Sequence, residues 1–356
     1  MLSEHLRVDK KIRSFFERHE RLVVPGLLVM GFVFDVITFQ ALDMITTMQI
    51  LGAYVILAAL ALVYLQIYDS QRSPSGWALL RYLRALAPYV IQLTFGALLS
   101  SSLLFYWYSG ALSVSWPLFA LITGIMISSE VFRRFYLRPI VLLSVYTFLL
   151  LSYLSLLLPF VFRSLSGWIF IISSLISLVF VGLLVVGLAQ LNSRLVAGSQ
   201  AKLVAVLVVI ASMNSMYFLN LIPPLPLSIR EAGIYHKLER LDNELILSGE
   251  DENFWLGLIP GQKITWSESE NIYVYTRIFA PAQINMDIYH RWEYYSPITN
   301  EWEDADRLRF EIKGGRAEGY RGYTTKNNLA FGKWRVTVET ERGQVLGRLA
   351  FTLIAR

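Results

Sequence analysis

The 356-residue chain has no cysteine, which excludes disulfides, thiolate nucleophiles and thiolate metal sites. Charged residues are also scarce, at 17%, against about a quarter in soluble proteins. The motifs of P-loop nucleotide binding, zinc peptidases, nucleophile-elbow hydrolases and dinucleotide binding are absent, and only four histidines are present. We therefore predict no catalytic residue, no metal site and no cofactor, and the sequence gives an enzyme little support.

Apolar residues are abundant, at 55%, and the mean hydropathy is +0.48. A helix needs roughly 20 apolar residues to cross the hydrocarbon of a membrane. Seven runs meet this length: 22–42, 48–68, 86–107, 113–130, 139–160, 168–190 and 203–222. The sequence therefore predicts an α-helical transmembrane bundle of seven spans across 22–222, preceded by a flank over 1–21.

Basic residues alternate across the predicted loops. Fourteen Lys and Arg residues lie in the N-terminal flank and in the second, fourth and sixth loops, whereas the odd-numbered loops hold only Arg163. Because basic loops stay in the cytoplasm, this pattern predicts a cytoplasmic N-terminus. Seven spans then place the C-terminal part outside the cytoplasm.

A proline-rich stretch marks a change of architecture. The segment IPPLP (222–226) cannot continue a helix, and it predicts an extended connector over 223–230. In the domain that follows, 231–356, apolar and polar residues alternate with a period of two, as in INMDIYHRWEY (284–294). About seven or eight such strands, separated by turn sequences, predict an all-β antiparallel sandwich.

The net charge of +5 hides a difference between the two parts. Residues 1–227 hold 15 Lys and Arg against 8 Asp and Glu, a net +7, whereas residues 228–356 hold 17 against 19, a net −2. A nucleic-acid-binding domain needs a basic face. The expected partners therefore include the lipid bilayer but no nucleic acid.

The C-terminal domain carries three motifs built on Trp, Arg and Gly. They are His290-x-Trp292, then Arg321-x-Tyr323-Thr324-x-Lys326, then Gly332-x-Trp334-Arg335 with a turn glycine at Gly343. In these motifs the chain resembles the bacterial family known as domain of unknown function 2914. The stretches GFVFDVITFQALD (31–43) and IPPLPLSIREAGIYH (222–236) are similar to what precedes that domain in its multi-span members.

The resemblance implies a bacterial envelope protein and brings no established activity. With the loop charges, it predicts a multi-pass protein of the bacterial cytoplasmic (inner) membrane with a periplasmic C-terminal domain. We expect that domain to bind an envelope protein or a glycan, as a binding or interaction module.

The motif residues are the candidates for that binding, since a backbone with glycines allows a ligand to approach closely. The predicted ligand-binding set is Arg321, Tyr323, Thr324, Lys326, His290, Trp292, Trp334 and Arg335. For His290 the alternative is a hydrogen-bonded residue of the core.

One carboxylate, Asp35, lies inside the first predicted span, with Thr38 on the same helical face. A charge at that depth costs at least about 2.5–3.5 kcal/mol, so the carboxylate must face protein or water, or be protonated. Asn214 in the last span is a neutral polar candidate partner. Two interpretations stay open: a transporter or proton- or solute-coupled bundle that uses Asp35, and a polar contact that joins helices. An enzyme at the outer leaflet is a third hypothesis.

Overall fold

The computed structural model describes residues 44–70, 78–108, 112–131, 138–191, 198–224, 227–241, 244–248, 262–267, 270–280, 285–313 and 319–355. In these ranges the chain forms six helices followed by ten strands. The first predicted span, with Asp35 and Thr38, lies outside the described residues. The turn sequences that separate the predicted strands are described only in part.

The helices follow the apolar runs. They are α1 (Met44–Ser70), α2 (Ala78–Tyr108), α3 (Leu112–Val131), α4 (Pro139–Phe162), α5 (Gly167–Leu191) and α6 (Ser199–Phe218). Five of these described helices, all except α3, are long and apolar enough to cross a membrane. The prediction of apolar membrane helices is confirmed for these five. The predicted number of seven spans is not confirmed. The run at 113–130 forms α3, and among the described residues its apolar part is the shorter Val114–Ser128.

The described residues cluster in two units. The first unit holds most of the helical residues, and there Tyr153 of α4 donates a hydrogen bond from its hydroxyl to the carbonyl of Met48, at 3.1 Å. Gly52 leaves room for that ring, since a Cβ there would lie 2.6 Å from the Tyr153 hydroxyl. The second unit holds Phe105–Phe119, Leu154–Ser173 and Ser212–Arg356, so it joins helix ends to the strands.

The strands, which we call the β domain (228–355), form two larger sheets and a hairpin. Their bounds are β1 (Ser228–Tyr235), β2 (Lys237–Leu241), β3 (Glu244–Ser248), β4 (Gln262–Trp266), β5 (Ile272–Phe279), β6 (Asn285–Ser296), β7 (Glu301–Lys313), β8 (Tyr320–Lys326), β9 (Gly332–Thr340) and β10 (Val345–Ala355). The sheet orders are β4-β10-β9-β6-β7 and β1-β5-β8, and β2 pairs with β3.

One pairing departs from the predicted antiparallel arrangement: β4 runs parallel to β10. A parallel pair needs a long crossover connection, and here the connection contains the five strands from β5 to β9. The expectation of a wholly antiparallel sandwich is therefore wrong at β4, while the sandwich itself holds. Local alternation could not reveal this pairing, because it says nothing about which distant strand becomes a neighbour.

The two larger sheets enclose one apolar core. Trp292 and Val336 from the five-stranded sheet meet Val274 and Ile278 from the three-stranded sheet in it. The period-two prediction is confirmed along β6 from Ile288 to Trp292, where Ile288, His290 and Trp292 are fully buried, and a register shift after Trp292 interrupts the alternation.

Gly322 of β8 lets the ring of Phe310 pack against the strand, and a Cβ at this glycine would overlap that ring. We expect Gly322→Ala to lower the free energy of unfolding of the β domain by about 1–3 kcal/mol, the usual cost of overpacking. Urea titration of the full chain in detergent measures the change. Combining Gly322→Ala with Phe310→Leu tests the cause, because a strictly additive double variant would exclude a clash between the two positions.

Candidate functional site

The eight predicted ligand-binding residues lie on different surfaces of the β domain. Successive strand residues point to opposite faces, so a motif that is continuous along the chain is divided by the sheet. Four members of the set are buried in the core: His290, Trp292, Thr324 and Trp334. Two lie on the outer face of the three-stranded sheet, Arg321 and Tyr323, and Arg335 lies on the outer face of the five-stranded sheet.

His290 is wholly buried and has a hydrogen-bond partner at each ring nitrogen. Its Nε2 lies 3.1 Å from Thr276 Oγ1, and its Nδ1 lies 2.8 Å from Thr324 Oγ1. Trp292 Nε1 donates to the same Thr324 oxygen at 3.3 Å. Burial lowers the pKa of His290 to about 3, so the ring is neutral at ordinary pH. This is the geometry of a hydrogen-bonded core histidine that ties β6 to β5 and β8 across the sandwich.

Lys326 and Trp334 lie together near one end of the sandwich. The Lys326 ammonium contacts the carboxylate of Asp306 and lies 5.8 Å from the centre of the Trp334 ring. Trp334 Nε1 donates to the carbonyl of Ala330 at 2.8 Å. Both side chains are therefore engaged within the domain, away from Arg321 and Tyr323.

The outer face of the three-stranded sheet collects tyrosines and arginines. Tyr323 of β8 stands opposite Tyr275 of β5, and Arg321 stands opposite Arg277. Tyr273 of β5 approaches Tyr323 with ring centres 6.4 Å apart, and Tyr323 is 44% exposed. We call this surface the tyrosine face, and its residues are Glu231, Tyr235, Tyr273, Tyr275, Arg277, Arg321 and Tyr323.

Charge and burial give the tyrosine face a defined chemistry. Arg277 Nε lies 3.2 Å from a carboxylate oxygen of Glu231. Burial, with a further contribution from Glu231, raises the pKa of Tyr275 to about 12, although Arg321 acts in the opposite direction. Its phenol therefore stays protonated. Tyr323 is exposed and Tyr273 is half-buried, so these two rings can stack on a ligand and donate hydrogen bonds, whereas Tyr235 and Tyr275 are buried.

The outer face of the five-stranded sheet is more polar, and two of its arginines form bidentate pairs with carboxylates. Arg335 donates to both oxygens of Glu293, at 2.7 and 2.6 Å, and its guanidinium lies 4.4 Å from the centre of the Trp302 ring. Arg291 donates in the same bidentate way to Asp304, at 2.5 and 2.7 Å. Arg335 is therefore held by its own sheet, which the motif did not reveal. The signal that could have revealed it is the opposite charge of Glu293 on the neighbouring strand.

The polar residues predicted within the membrane part are described only in part. Asp35 and Thr38 lie outside the described residues, and Asn214 is a half-buried residue of α6 that has an interaction partner. In the five described spans the acidic and basic side chains, such as Asp69 and Lys202, lie near the helix ends. No group of three potential metal ligands occurs in the part of the chain that the structure describes.

Residues 285–353 match the family described as "Protein of unknown function (DUF2914)". This match confirms the resemblance at the C-terminal end of the chain, from the start of β6 into β10. The helical part lies outside the matched residues. No curated protein matches the chain.

Two solved structures show weak similarity. An immunoglobulin-like protein from Pseudomonas aeruginosa is 9% identical, and the match covers 36% of this chain and 96% of that one, with a TM-score of 0.23. The alkylpurine DNA glycosylase of Pseudomonas fluorescens, bound to DNA, is 10% identical over 85% of this chain and 98% of that one, also with a TM-score of 0.23. Scores of this size do not establish a shared fold.

Proposed function

We propose that this protein is a membrane-anchored binding module. Its apolar helices hold it in the bacterial inner membrane, and its β domain presents the tyrosine face to an envelope protein or a glycan in the periplasm. The observation that carries the proposal is the pair of neighbouring rings, Tyr273 and Tyr323, beside Arg277 and Arg321 on one outer sheet face.

The chemistry of the tyrosine face favours binding over catalysis. Tyrosine and arginine are enriched among the residues that contribute most to protein interfaces. Flat rings with hydroxyl groups also suit the apolar faces and hydroxyls of sugars. β8 supports this role by its position, since it is an edge strand of the three-stranded sheet and Tyr323 projects from it.

The periplasmic location is supported by the alternation of basic residues along the sequence. A cysteine introduced at the exposed Ile298 would be labelled from outside the cell by a membrane-impermeant maleimide, because the native chain has no cysteine. Labelling only after the membrane is permeabilised would place the β domain in the cytoplasm instead.

Binding at the tyrosine face is tested by crosslinking in cells. A photoreactive amino acid at Tyr323 is expected to give a discrete protein or glycan adduct, and the same group at the exposed Glu303 of β7 serves as the control. The mass of the adduct identifies the class of partner. An adduct pattern that is the same at both positions would exclude the tyrosine face as the binding surface.

Once the partner is identified, Tyr323→Ala is expected to weaken its binding by at least about tenfold, since truncating a central interface residue costs about 1–2 kcal/mol or more. The fold should persist because the side chain is half exposed. Ile298→Ala is the matched control, as it truncates a large side chain that is 91% exposed on the turn between β6 and β7. Equal affinities of the two variants would contradict the assignment.

A further inference from the structure

A cleft of about 560 Å³ lies beside the turn between α4 and α5. The walls are that turn (163–167), the start of β6 (285–287), Arg309 and Glu311 of β7, and the β9–β10 hairpin (340–344). All of these residues belong to the second unit. The volume falls in the range of small-molecule sites, about 300–1,000 Å³.

The turn lies where two membrane helices end. α4 ends at Phe162 and α5 begins at Gly167, and both helices are apolar enough to span a membrane. Large apolar side chains next to the turn are exposed: 60% for Phe162 and 72% for Trp168. Aromatic residues at the ends of spans lie at the level of the lipid headgroups. The cleft is therefore at headgroup level, on the side of the membrane that carries the β domain.

Charges of both signs line this cleft, and some have no partner among the described residues. Arg309 is paired with Asp287 at 3.0 Å, and Arg342 donates to the hydroxyl of Tyr217 at 3.0 Å. The guanidinium of Arg163 makes no ion pair within the described ranges. The same holds there for the carboxylates of Glu311 and Glu341.

The backbone at Arg163 adds an independent observation. Its φ is +54°, a left-handed conformation, and the helix end is closed by a bond from Ser164 N to the carbonyl of Pro159 at 3.2 Å. Glycine or asparagine usually occupies such a helix end. The other non-glycine residues with positive φ in the described ranges are all asparagines. The left-handed arginine beside the cleft makes its guanidinium a candidate for a role there.

We propose that this cleft binds the headgroup of a zwitterionic aminophospholipid. Arg163 holds the phosphate, because a guanidinium binds phosphate oxygens in a bidentate way. Glu311 and Glu341 accept hydrogen bonds from the primary ammonium. A choline headgroup cannot donate those bonds, and a glycerol headgroup has no positive charge. The site therefore selects phosphatidylethanolamine, and this goes beyond the proposed binding at the tyrosine face.

Native mass spectrometry of the full chain, released from nanodiscs with equal amounts of phosphatidylethanolamine, phosphatidylcholine and phosphatidylglycerol, measures which lipid is retained. We expect retention of phosphatidylethanolamine over the other two by at least about tenfold, since charged hydrogen bonds contribute that much or more. Arg163→Asn should abolish the preference while keeping the left-handed turn, and Arg163→Lys should keep part of it. Lys263→Asn, an exposed cation on β4, is the matched control.

The carboxylates are tested by the double variant Glu311→Gln and Glu341→Gln, with Glu301→Gln as the exposed control. The double variant should lose discrimination between phosphatidylethanolamine and phosphatidylcholine and still bind phosphate. Equal retention of phosphatidylethanolamine and phosphatidylglycerol by the unmodified chain would overturn the zwitterionic assignment. Lipid retention that Arg163→Asn leaves unchanged would overturn the site. Saturable binding of soluble phosphoethanolamine with no lipid preference would overturn a membrane source for the ligand.

Discussion

Replacing Glu293 with alanine is expected to lower the free energy of unfolding of the β domain by about 3–5 kcal/mol, the cost of breaking a buried ion pair by removing one partner. The side chain of Glu293 is only 5% exposed although it lies on the outer face of the five-stranded sheet. It accepts two hydrogen bonds from Arg335 and one from Thr337 Oγ1, at 3.1 Å. The variant leaves the half-buried Arg335 and the buried Thr337 without this acceptor.

The charges around Glu293 add to that cost. Burial raises the pKa of Glu293, but Arg335, Arg291 and Thr337 together lower it by more, so the pKa ends below its usual value and the carboxylate stays charged. Arg348 lies in the same surroundings: burial, followed by the charge of Arg335, lowers its pKa, while Glu293 acts in the opposite direction. Its Nε is buried and has no hydrogen-bond partner among the described residues. Without the carboxylate of Glu293, the positive charges of Arg335 and Arg348 repel each other with less negative charge nearby to offset the repulsion.

Asp304→Ala is the matched control for this prediction. Asp304 forms a bidentate pair with Arg291 of similar geometry on the same sheet face, but its side chain is 61% exposed. Exposed pairs contribute about 0–1 kcal/mol. Hydrogen exchange of the β9 amides, in the full chain in detergent, reports both changes. Equal losses of protection for the two variants would mean that burial does not set the strength of these pairs.

The helices could be predicted from the sequence because their signal is local. Burial in lipid requires a continuous apolar run, and the ends of α4 and α5 lie close to the predicted ends at 160 and 168. The alternation along β6 is equally local, and it correctly placed His290 and Trp292 on the core face. Such patterns say which way a side chain points, and that was enough to indicate a sandwich.

The candidate site could not be predicted in the same way, because it depends on which strands become neighbours. The motif at 321–326 joins residues of two faces, so only Arg321 and Tyr323 lie on the tyrosine face. Their companions Tyr273 and Tyr275 come from β5, about 50 residues earlier in the chain. The sequence suggested that the glycines of this segment let a ligand approach the backbone. Gly322 instead makes room for the ring of Phe310. The sequence predicted the direction of each side chain, but it did not predict which distant strands pair.

Acidification is expected to destabilise the β domain through His290, by about 2 kcal/mol between pH 7.5 and pH 5. Burial lowers the pKa of His290 to about 3 in the folded protein, whereas an unfolded histidine has a pKa of about 6.5. Below pH 6.5 His290 therefore binds a proton in the unfolded chain but not in the folded chain. The contribution of His290 to the free energy of unfolding is fully present above pH 6.5. Below that pH it falls by about 1.4 kcal/mol per pH unit until the pH reaches the folded pKa.

The physical reason lies in the partners of the ring. Thr276 and Thr324 each offer a hydroxyl, and Thr324 also accepts the bond from Trp292 Nε1. A doubly protonated ring would need an acceptor on both sides and a counter-ion. The partners of His290 are neutral hydroxyls, and no carboxylate is paired with it among the described residues. A charged imidazolium would therefore be buried at full desolvation cost.

The variant His290→Gln isolates this effect, because glutamine keeps a polar side chain in the core but does not titrate. Urea midpoints followed by near-ultraviolet circular dichroism, at pH 7.5 and pH 5 in the full chain, measure the loss for each protein. We expect the variant to be less stable than the unmodified protein at pH 7.5 and to lose about 2 kcal/mol less on acidification. Because all other titrating groups are common to both proteins, identical losses would show that the pKa of His290 is the same in the folded and the unfolded protein.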